Sequence, residues 1–436
     1  MLEQERKGKM KKRLKKWATV GMSLVMAAAL CLTSVPVSVS AASTVAADDS
    51  SFVIEDGVLK KYTGIKTVVT IPEGVKKIEK YAFRYNKEIE KVIFPTTLCD
   101  IGQWAFDGCK NLTTVKMSYR VKRVDDGAFR DCTSLQTVDL SMTGLEVLPE
   151  SAFKGCTSLT QVTLPESIKV IGRDAFNGCR YLGSINLPEG LTTIQLFAFY
   201  DCDSLTAVAL PDTLQFLGNS AFAGCDVLES IRIPAGITTL QVSVFSGDYN
   251  LDTVYLPDTL RTIQSAALAT KDGDHEEPGS LSSLYIPESV EYIYHAGGAS
   301  SFGMNRASGI KEIQAKSGSY GEKYAKYISD SASGFEVTTD TGEKETTVDF
   351  TPVEDDAVIH FDACGGKLAA GEEKKAGIIG QMYGKLPTPE LKNYQFLGWY
   401  QDKGLKNPAK TTTLITQAET TVYAKWEKET AEDDVY

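Results

Sequence analysis

Apolar side chains between about residues 52 and 340 fall on a 23-residue period. Phenylalanine marks it most clearly: Phe83, Phe106, Phe129, Phe153, Phe176, Phe199, Phe222 and Phe245 follow at steps of 23, with one step of 24, and the first seven each follow an alanine. One period can be read from Leu159 to Gly178. Leu159, Val162 and Leu164 open it, Pro165 ends that stretch, Ile168 and Ile171 follow three apart, and Gly172, Ala175-Phe176 and Gly178-Cys179 complete it. Val162 and Leu164 alternate with Gln161 and Thr163, the two-residue period of a strand with one buried and one wet face. Pro165 stops the strand because proline has no donor for a ladder. Ile168, Ile171 and Phe176 keep no strand period and predict a short turn-like or 3₁₀ segment on the opposite side of the coil. A lone unit cannot bury its roughly six apolar side chains, whereas stacked copies can, so the period predicts a repeat solenoid.

The register also has breaks. Leu268 stands where the next phenylalanine would fall, and Lys271 to Ser280 is inserted before the strand leucine Leu281. The pattern resumes at Tyr285-Ile286-Pro287 and ends near Ile313. About ten coils stacked at ~4.8 Å give an array on the order of 45–50 Å long. Such an array offers an extended surface more readily than a closed catalytic pocket.

The Leu-x-x-Val-x-Leu-Pro, Ile-Gly-x-x-Ala-Phe and Gly-Cys elements resemble the BspA-like leucine-rich repeats, the 23-residue bacterial type. The resemblance implies a right-handed leucine-rich-repeat array with one parallel β-strand per coil, covering residues 52–340 with its caps. Asp56-Gly57-Val58-Leu59 with Tyr62, Gly64 and Ile71-Pro72 is similar to the family's start. Gly318-Ser319-Tyr320 with Lys323-Tyr324-Ala325 is similar to its closing segment and predicts a short helix over the last coil. Terminal coils need such caps because their outer apolar faces have no neighbour.

Residues 341–357 are polar, carry no repeat register and read as a linker. A second pattern occupies 358–427, with a short tail at 428–436. It contains Val358-Ile359-His360-Phe361 running into Gly365-Gly366, then Tyr394-x-Phe396-x-Gly398-Trp399-Tyr400, then Thr421-Val422-Tyr423-Ala424-Lys425-Trp426. Alternating β-favouring residues bounded by Gly and Pro predict a small β-rich domain. The Gly-Trp-Tyr and Tyr-Ala-Lys-Trp elements resemble the Listeria–Bacteroides (internalin B-repeat-like) module, which implies a β-grasp-like fold and a spacer or interaction role. Cys364 stands where that family usually has Asn. Phe361, Phe396, Trp399, Tyr423 and Trp426 read as core rather than as a sugar-stacking platform.

The N-terminus changes the setting. Lys7 to Lys16 is basic, Trp17 to Leu32 is apolar, and Val39-Ser40-Ala41 offers a small-residue cleavage site, so residues 1–41 read as a Sec-type signal peptide and 42–51 as a disordered mature N-terminus. The leader carries 8 Lys/Arg against 2 Asp/Glu, so its removal takes the formal charge from −11 to −17. That balance opposes nucleic-acid binding. No second hydrophobic span follows, and the C-terminus shows no Leu-Pro-x-Thr-Gly sorting signal. Export to the cell envelope or beyond is expected, with the manner of retention and the oligomeric state left open.

Chemistry is sparse. His275, His295 and His360 are the 3 histidines, and none sits in a nucleophile or metal motif. Asp272-Gly-Asp274-His-Glu276-Glu277 lacks the central Gly and distal Glu of a calcium loop and reads as a solvated insertion. No catalytic residue, metal site or cofactor is assigned. Cys109, Cys132, Cys156, Cys179, Cys202 and Cys225 each lie three residues after a repeat phenylalanine. Stacking would place them in disulfide range, and metal thiolates are a further option. Because Asn86 and Asp248 occupy the same position, buried groups that hydrogen-bond the loop backbone are the better reading.

The outward strand positions offer the candidate site. One column reads Lys116, Asp139, Thr163, Asn186, Ala209, Arg232, Tyr255, Tyr285, small and polar until its C-terminal end. Arg232, Tyr255 and Tyr285, with Tyr292 and Tyr294 on an adjacent coil edge, form the expected ligand contact, since aromatics and Arg carry most interface energy. The chain therefore reads as an exported, non-enzymatic protein of a bacterial surface, binding a protein or glycan ligand outside the cell. The BspA-like resemblance implies adhesion. A scaffold of the producer's own envelope and an accessory for polysaccharide capture are the alternatives.

Overall fold

The computed structural model describes residues 51–270, 280–293, 310–329 and 349–429. Residues 1–50, with the segment read as a signal peptide, the 271–279 part of the insertion with His275, and Tyr294 and His295 lie outside the described residues. From Asp49 onward the chain forms one compact unit.

The repeat builds a solenoid with two parallel ladders. The first carries three-residue strands: Val68–Thr70, Lys91–Ile93, Thr114–Lys116, Thr137–Asp139 and Gln161–Thr163 lie side by side in chain order. It continues through a Ser184–Ala207 bridge, the pair Ser230–Arg232 and Thr253–Tyr255, and the pair Ser283–Tyr285 and Glu312–Ala315. This is the strand expected in each coil. The second ladder is additional. Two-residue strands such as Val147–Leu148, Val170–Ile171, Thr193–Ile194 and Phe216–Leu217 pair in parallel on the part of the coil expected to be turn-like. Gly172 follows Ile171 so closely against the previous coil that a Cβ there would lie 2.6 Å from the Leu148 carbonyl oxygen. This contact explains why glycine belongs there.

One continuous core runs from Leu59 to Ala325. The eight repeat phenylalanines are no more than 1% exposed and stack ring on ring, from 4.6 Å between Phe83 and Phe106 to 6.2 Å between Phe222 and Phe245, with planes within 18°. The cysteine column lies beside them. All six thiols are free and buried, and each Sγ donates to a phenylalanine carbonyl one coil further back, from Cys109 to Phe83 at 3.1 Å to Cys225 to Phe199 at 3.4 Å. Asn86 and Asp248 serve the same place: Asn86 Nδ2 donates to the Gly64 carbonyl, and Asp248 Oδ1 accepts from Cys225 N–H at 2.9 Å.

Both ends are capped. At the start, Phe52–Glu55 and Val58–Tyr62 form an antiparallel hairpin whose two-residue turn, Asp56-Gly57, has φ of 47° and 75°, the pairing a tight hairpin turn favours. At the other end, the helix α1 (Tyr320–Ser329) presses buried Tyr324 and Ala325 onto the core. Across its first turn Glu322 N–H donates to Ser319 Oγ, and the Glu322 carboxylate accepts from Gly318 N–H, a variant of the capping box in which the returning bond falls one residue earlier.

The segment read as a linker is partly structured. Asp349–Pro352 adds a parallel strand beside Glu312–Ala315, with Phe350 opposite Ile313 and packed on the solenoid core. A single half-buried aromatic in a strand pairing outweighs the polar composition of its surroundings. Beyond it, Ala357–Asp362 and Glu419–Lys428 pair in parallel at the centre of a five-stranded sheet. Lys374–Gly377 flanks one side, Tyr394–Tyr400 and then Pro408–Ala409 the other. Phe361, Trp399, Val422 and Ala424 form its core with Phe396 and Trp426 alongside. Tyr423 differs from expectation: it faces the other side of the sheet, half-buried, with the Lys403 ammonium 5.7 Å from its ring.

Candidate interaction surface

Strand register decides which side chains share the outward face. Lys116 pairs with Asp139 and Asp139 with Thr163, and Arg232 pairs with Tyr255, so these members of the predicted column lie in two paired rows. Lys116 and Asp139 form an ion pair at 3.1 Å. Lys116, Gln161 and Thr163 are exposed.

At the C-terminal end the row changes. Arg232 is exposed, with its guanidinium 5.5 Å from the Tyr255 ring centre. Tyr255 is only 7% exposed, so in this arrangement Arg232 presents itself while Tyr255 supports it. Tyr285 is half-buried. Burial, and then the neighbouring carboxylates of Asp355, Glu288 and Asp258, push its hydroxyl well above the usual tyrosine range. Tyr292 is 49% exposed but pairs with Thr262 in the two-residue ladder. It therefore belongs to a different sheet from Arg232 and Tyr255. The five predicted residues thus separate: Arg232 and Tyr255 are joined, Tyr285 continues the row half-buried, Tyr292 sits in the other ladder, and Tyr294 lies outside the described residues.

Tyr285 faces the C-terminal domain across a cleft. The cleft, of about 430 Å³, is lined on one side by Leu256, Tyr285 and Lys316 and on the other by Lys375, Met382 and Tyr383. Lys316 bonds Asp355 at 2.9 Å and lies 3.6 Å from Glu288. The hydrogen bond to Asp355 chiefly raises its pKa.

The contacts beside this cleft fall on a column not singled out above: the residue after each strand-ending proline. Glu189, Asp212, Ala235 and Asp258 follow Pro188, Pro211, Pro234 and Pro257 at 23-residue steps. Lys410 pairs with Glu189, and Lys375 with Asp258. Thr411 donates from its N–H and its hydroxyl to the two oxygens of Asp212, at 3.0 and 2.7 Å. Ala235 N–H donates to the Thr411 hydroxyl at 3.5 Å, and Lys385 N–H to Asp258 at 3.0 Å. The sequence signal was a proline–acid dipeptide recurring at the repeat period.

A second exposed cluster lies in the early coils. The Arg84 guanidinium sits 4.9 Å from the ring centre of Tyr81 and 4.4 Å from that of Tyr85, and bonds Asp107 at 2.8 Å. Tyr81 stacks on Trp104 at 5.3 Å. These residues escaped the outward-column reading because they belong to the turns flanking the repeat phenylalanine.

Among the described residues no group of three or more His, Cys, Asp or Glu side chains is placed to hold a metal ion, and no helix is long and apolar enough to cross a membrane. The family model for the BspA type leucine rich repeat region matches residues 53–182 and 146–273, and that for the Listeria-Bacteroides repeat domain matches 358–425. No curated protein matches the chain. Similar solved structures include a leucine-rich repeat protein from Bacteroides ovatus, 21% identical over 66% of this chain and 84% of that one, TM-score 0.42. Another is a leucine rich cell surface protein from Faecalibacterium prausnitzii, 22% identical over 65% of this chain and 97% of that one, TM-score 0.34.

Proposed function

Because the chain belongs to the BspA-type leucine-rich repeat family, we propose that it is an exported surface protein that binds a protein ligand on the outward face of its solenoid. The exposed Arg232 stacked on Tyr255 carries this reading. It is an arginine–aromatic pair held in register on a parallel ladder, and such pairs supply a large share of interface energy. Tyr285 extends the proposed contact, Tyr292 is set apart from it in the other ladder, and Tyr294 belongs to it by sequence. The basic n-region and apolar run of the first 41 residues support export. Glycan capture is less favoured: of the five aromatic residues that would form a platform in the C-terminal domain, Phe361 and Trp399 are core and Phe396 and Trp426 pack against it, which leaves only Tyr423 on the other face.

The test uses the full mature chain, immobilised solubilised extracellular matrix and whole bacterial cells. Arg232→Ala is expected to weaken capture by about tenfold, a loss of ~1.4 kcal/mol. Capture unaltered by Arg232→Ala, in a chain with wild-type melting, would overturn this site.

A further inference from the structure

We infer that the C-terminal domain is a charge-held cover over the Tyr285 end of the sheet, closed in cis on the post-proline carboxylates and able to open. The inference rests on the reading that this end contacts ligand only where it gives the cover a purpose; the cover itself stands on the joint.

The joint is built to fit. Asp212 and Asp258 lie two coils apart, about 10 Å at the stacking distance of parallel strands. They meet two loops of the C-terminal domain that are already tied together, Gly384 N–H to the Thr411 carbonyl at 2.8 Å and Tyr383 N–H to the Thr413 carbonyl at 2.7 Å. The Lys375 ammonium is positioned from within its own domain by the Tyr383 and Lys385 carbonyls, at 2.7 and 3.1 Å, before it reaches Asp258. Gly384 has a φ of 66°, and a Cβ on it would collide with the Asp258 carboxylate. Glycine is therefore what lets the loop approach the acid.

The joint is also built to part. The solenoid core and the domain core are separate clusters with no shared apolar centre. The contacts between them named above are ion pairs and hydrogen bonds, all to carboxylates except that from Ala235 N–H to the Thr411 hydroxyl. The ion pairs are partly in water, with side chains 29% and 42% exposed for Lys375 and Asp258 and 42% and 66% for Lys410 and Glu189. A cleft remains beside them. An interface of this polarity leaves relative motion as the default, and exposed pairs weaken as salt rises.

The cover has a cost to binding. It reaches Tyr285, the continuation of the Arg232–Tyr255 row, so a partner seated along the whole row must displace it. Opening needs no chemical step, only competition for the acids by salt or by another cationic surface.

The experiment follows the amides of Lys385 and Thr411 by hydrogen exchange and Tyr285 by hydroxyl-radical oxidation, in the full mature chain. Asp212→Lys with Asp258→Lys is expected to speed exchange at both amides at least tenfold and to raise Tyr285 oxidation several-fold. Moving the wild type from 10 mM to 1 M NaCl should shift both readouts in the same direction. Glu166→Lys, in the same column but without a hydrogen bond or ion pair to the domain, should change neither. Gly384→Ala opens the joint from the domain side and covers the case in which the double variant misfolds. Unchanged amides, or faster amides with Tyr285 still protected, would overturn the cover. If the cover opens, Tyr285 reacts, and capture of matrix or cells does not rise, then the ligand reading of this end falls and the cover stands.

Discussion

Asp248 is the acid in a column whose preceding six members are thiols, and its position makes it a pH-dependent weak point. It is fully buried, its Oδ1 accepts from Cys225 N–H, and its Oδ2 has no hydrogen-bond partner among the described residues. Burial pushes its carboxyl well above the usual carboxylate range, with the Cys225 N–H acting in the opposite direction. The folded state therefore holds the proton more tightly than the unfolded chain, whose Asp titrates near 3.9. The contribution of the neutral acid to stability is complete below about pH 4 and is lost as pH rises toward the raised folded value. Asn86 shows what the column accepts in its place, an amide that donates as well as accepts. Asp248→Asn is expected to stabilise the protein at pH 7 by about 1–3 kcal/mol, the cost of an unsatisfied buried polar group, with little gain at pH 4. Thermal melts at the two pH values check this. An equal shift at both would mean that the proton is not involved.

At the scale of the element, the cysteine column behaves as a structural strip rather than a reactive one. Each thiol donates to a carbonyl of the neighbouring coil, and burial pushes Cys109 up to about 12 and Cys132, Cys179 and Cys225 well above the usual thiol range. Since the thiolate is the nucleophile, native protein should give one fast thiol with an aromatic disulfide reagent. That thiol is exposed Cys364, half-buried Cys99 should follow more slowly, and the six column thiols should react only on addition of denaturant. A denatured, unreduced count near zero for the column would mean that it is cross-linked. How much of this was readable in advance differed by element. The three-residue strands and their outward columns were, because Val162 and Leu164 alternate against a closing proline. The two-residue strands were not: Val170–Ile171 is too short to show a period, and only its neighbours at 23-residue steps make it a ladder. Asp349–Pro352 was hidden in polar surroundings because its strand pairing depends on Phe350 meeting Ile313 from a distant stretch of chain. The candidate site was readable as a row but not as one that faces a cleft. Tyr285 gives no sign in the sequence that Met382 and Tyr383 will lie across from it.

Over the whole molecule, two hydrophobic cores are joined by charge, and that arrangement determines how the protein should unfold. Stacked coils melt cooperatively through their neighbour interfaces, and the solenoid core runs unbroken from Leu59 to Ala325. The C-terminal domain has its own core around Phe361, Trp399 and Val422. Its coupling to the solenoid passes through Glu189, Asp212 and Asp258, and through the strand Asp349–Pro352 that leads into it. The strand is backbone pairing and insensitive to salt, whereas the ion pairs are not. The Debye length falls from about 30 Å at 10 mM to about 3 Å at 1 M salt, and each exposed pair contributes roughly 0.2–1 kcal/mol, so the coupling available to synchronise the two cores is small and largely removable. Calorimetry of the mature chain at 10 mM NaCl should give overlapping transitions. At 1 M NaCl, or with Asp212→Lys and Asp258→Lys, the transition of the C-terminal domain should move away from that of the solenoid, which keeps its midpoint when the variants are compared at fixed salt. Near-ultraviolet circular dichroism of the buried Trp399 assigns the separated transition. A single transition that survives both high salt and charge reversal would mean that the cores are joined by packing rather than by the carboxylate column.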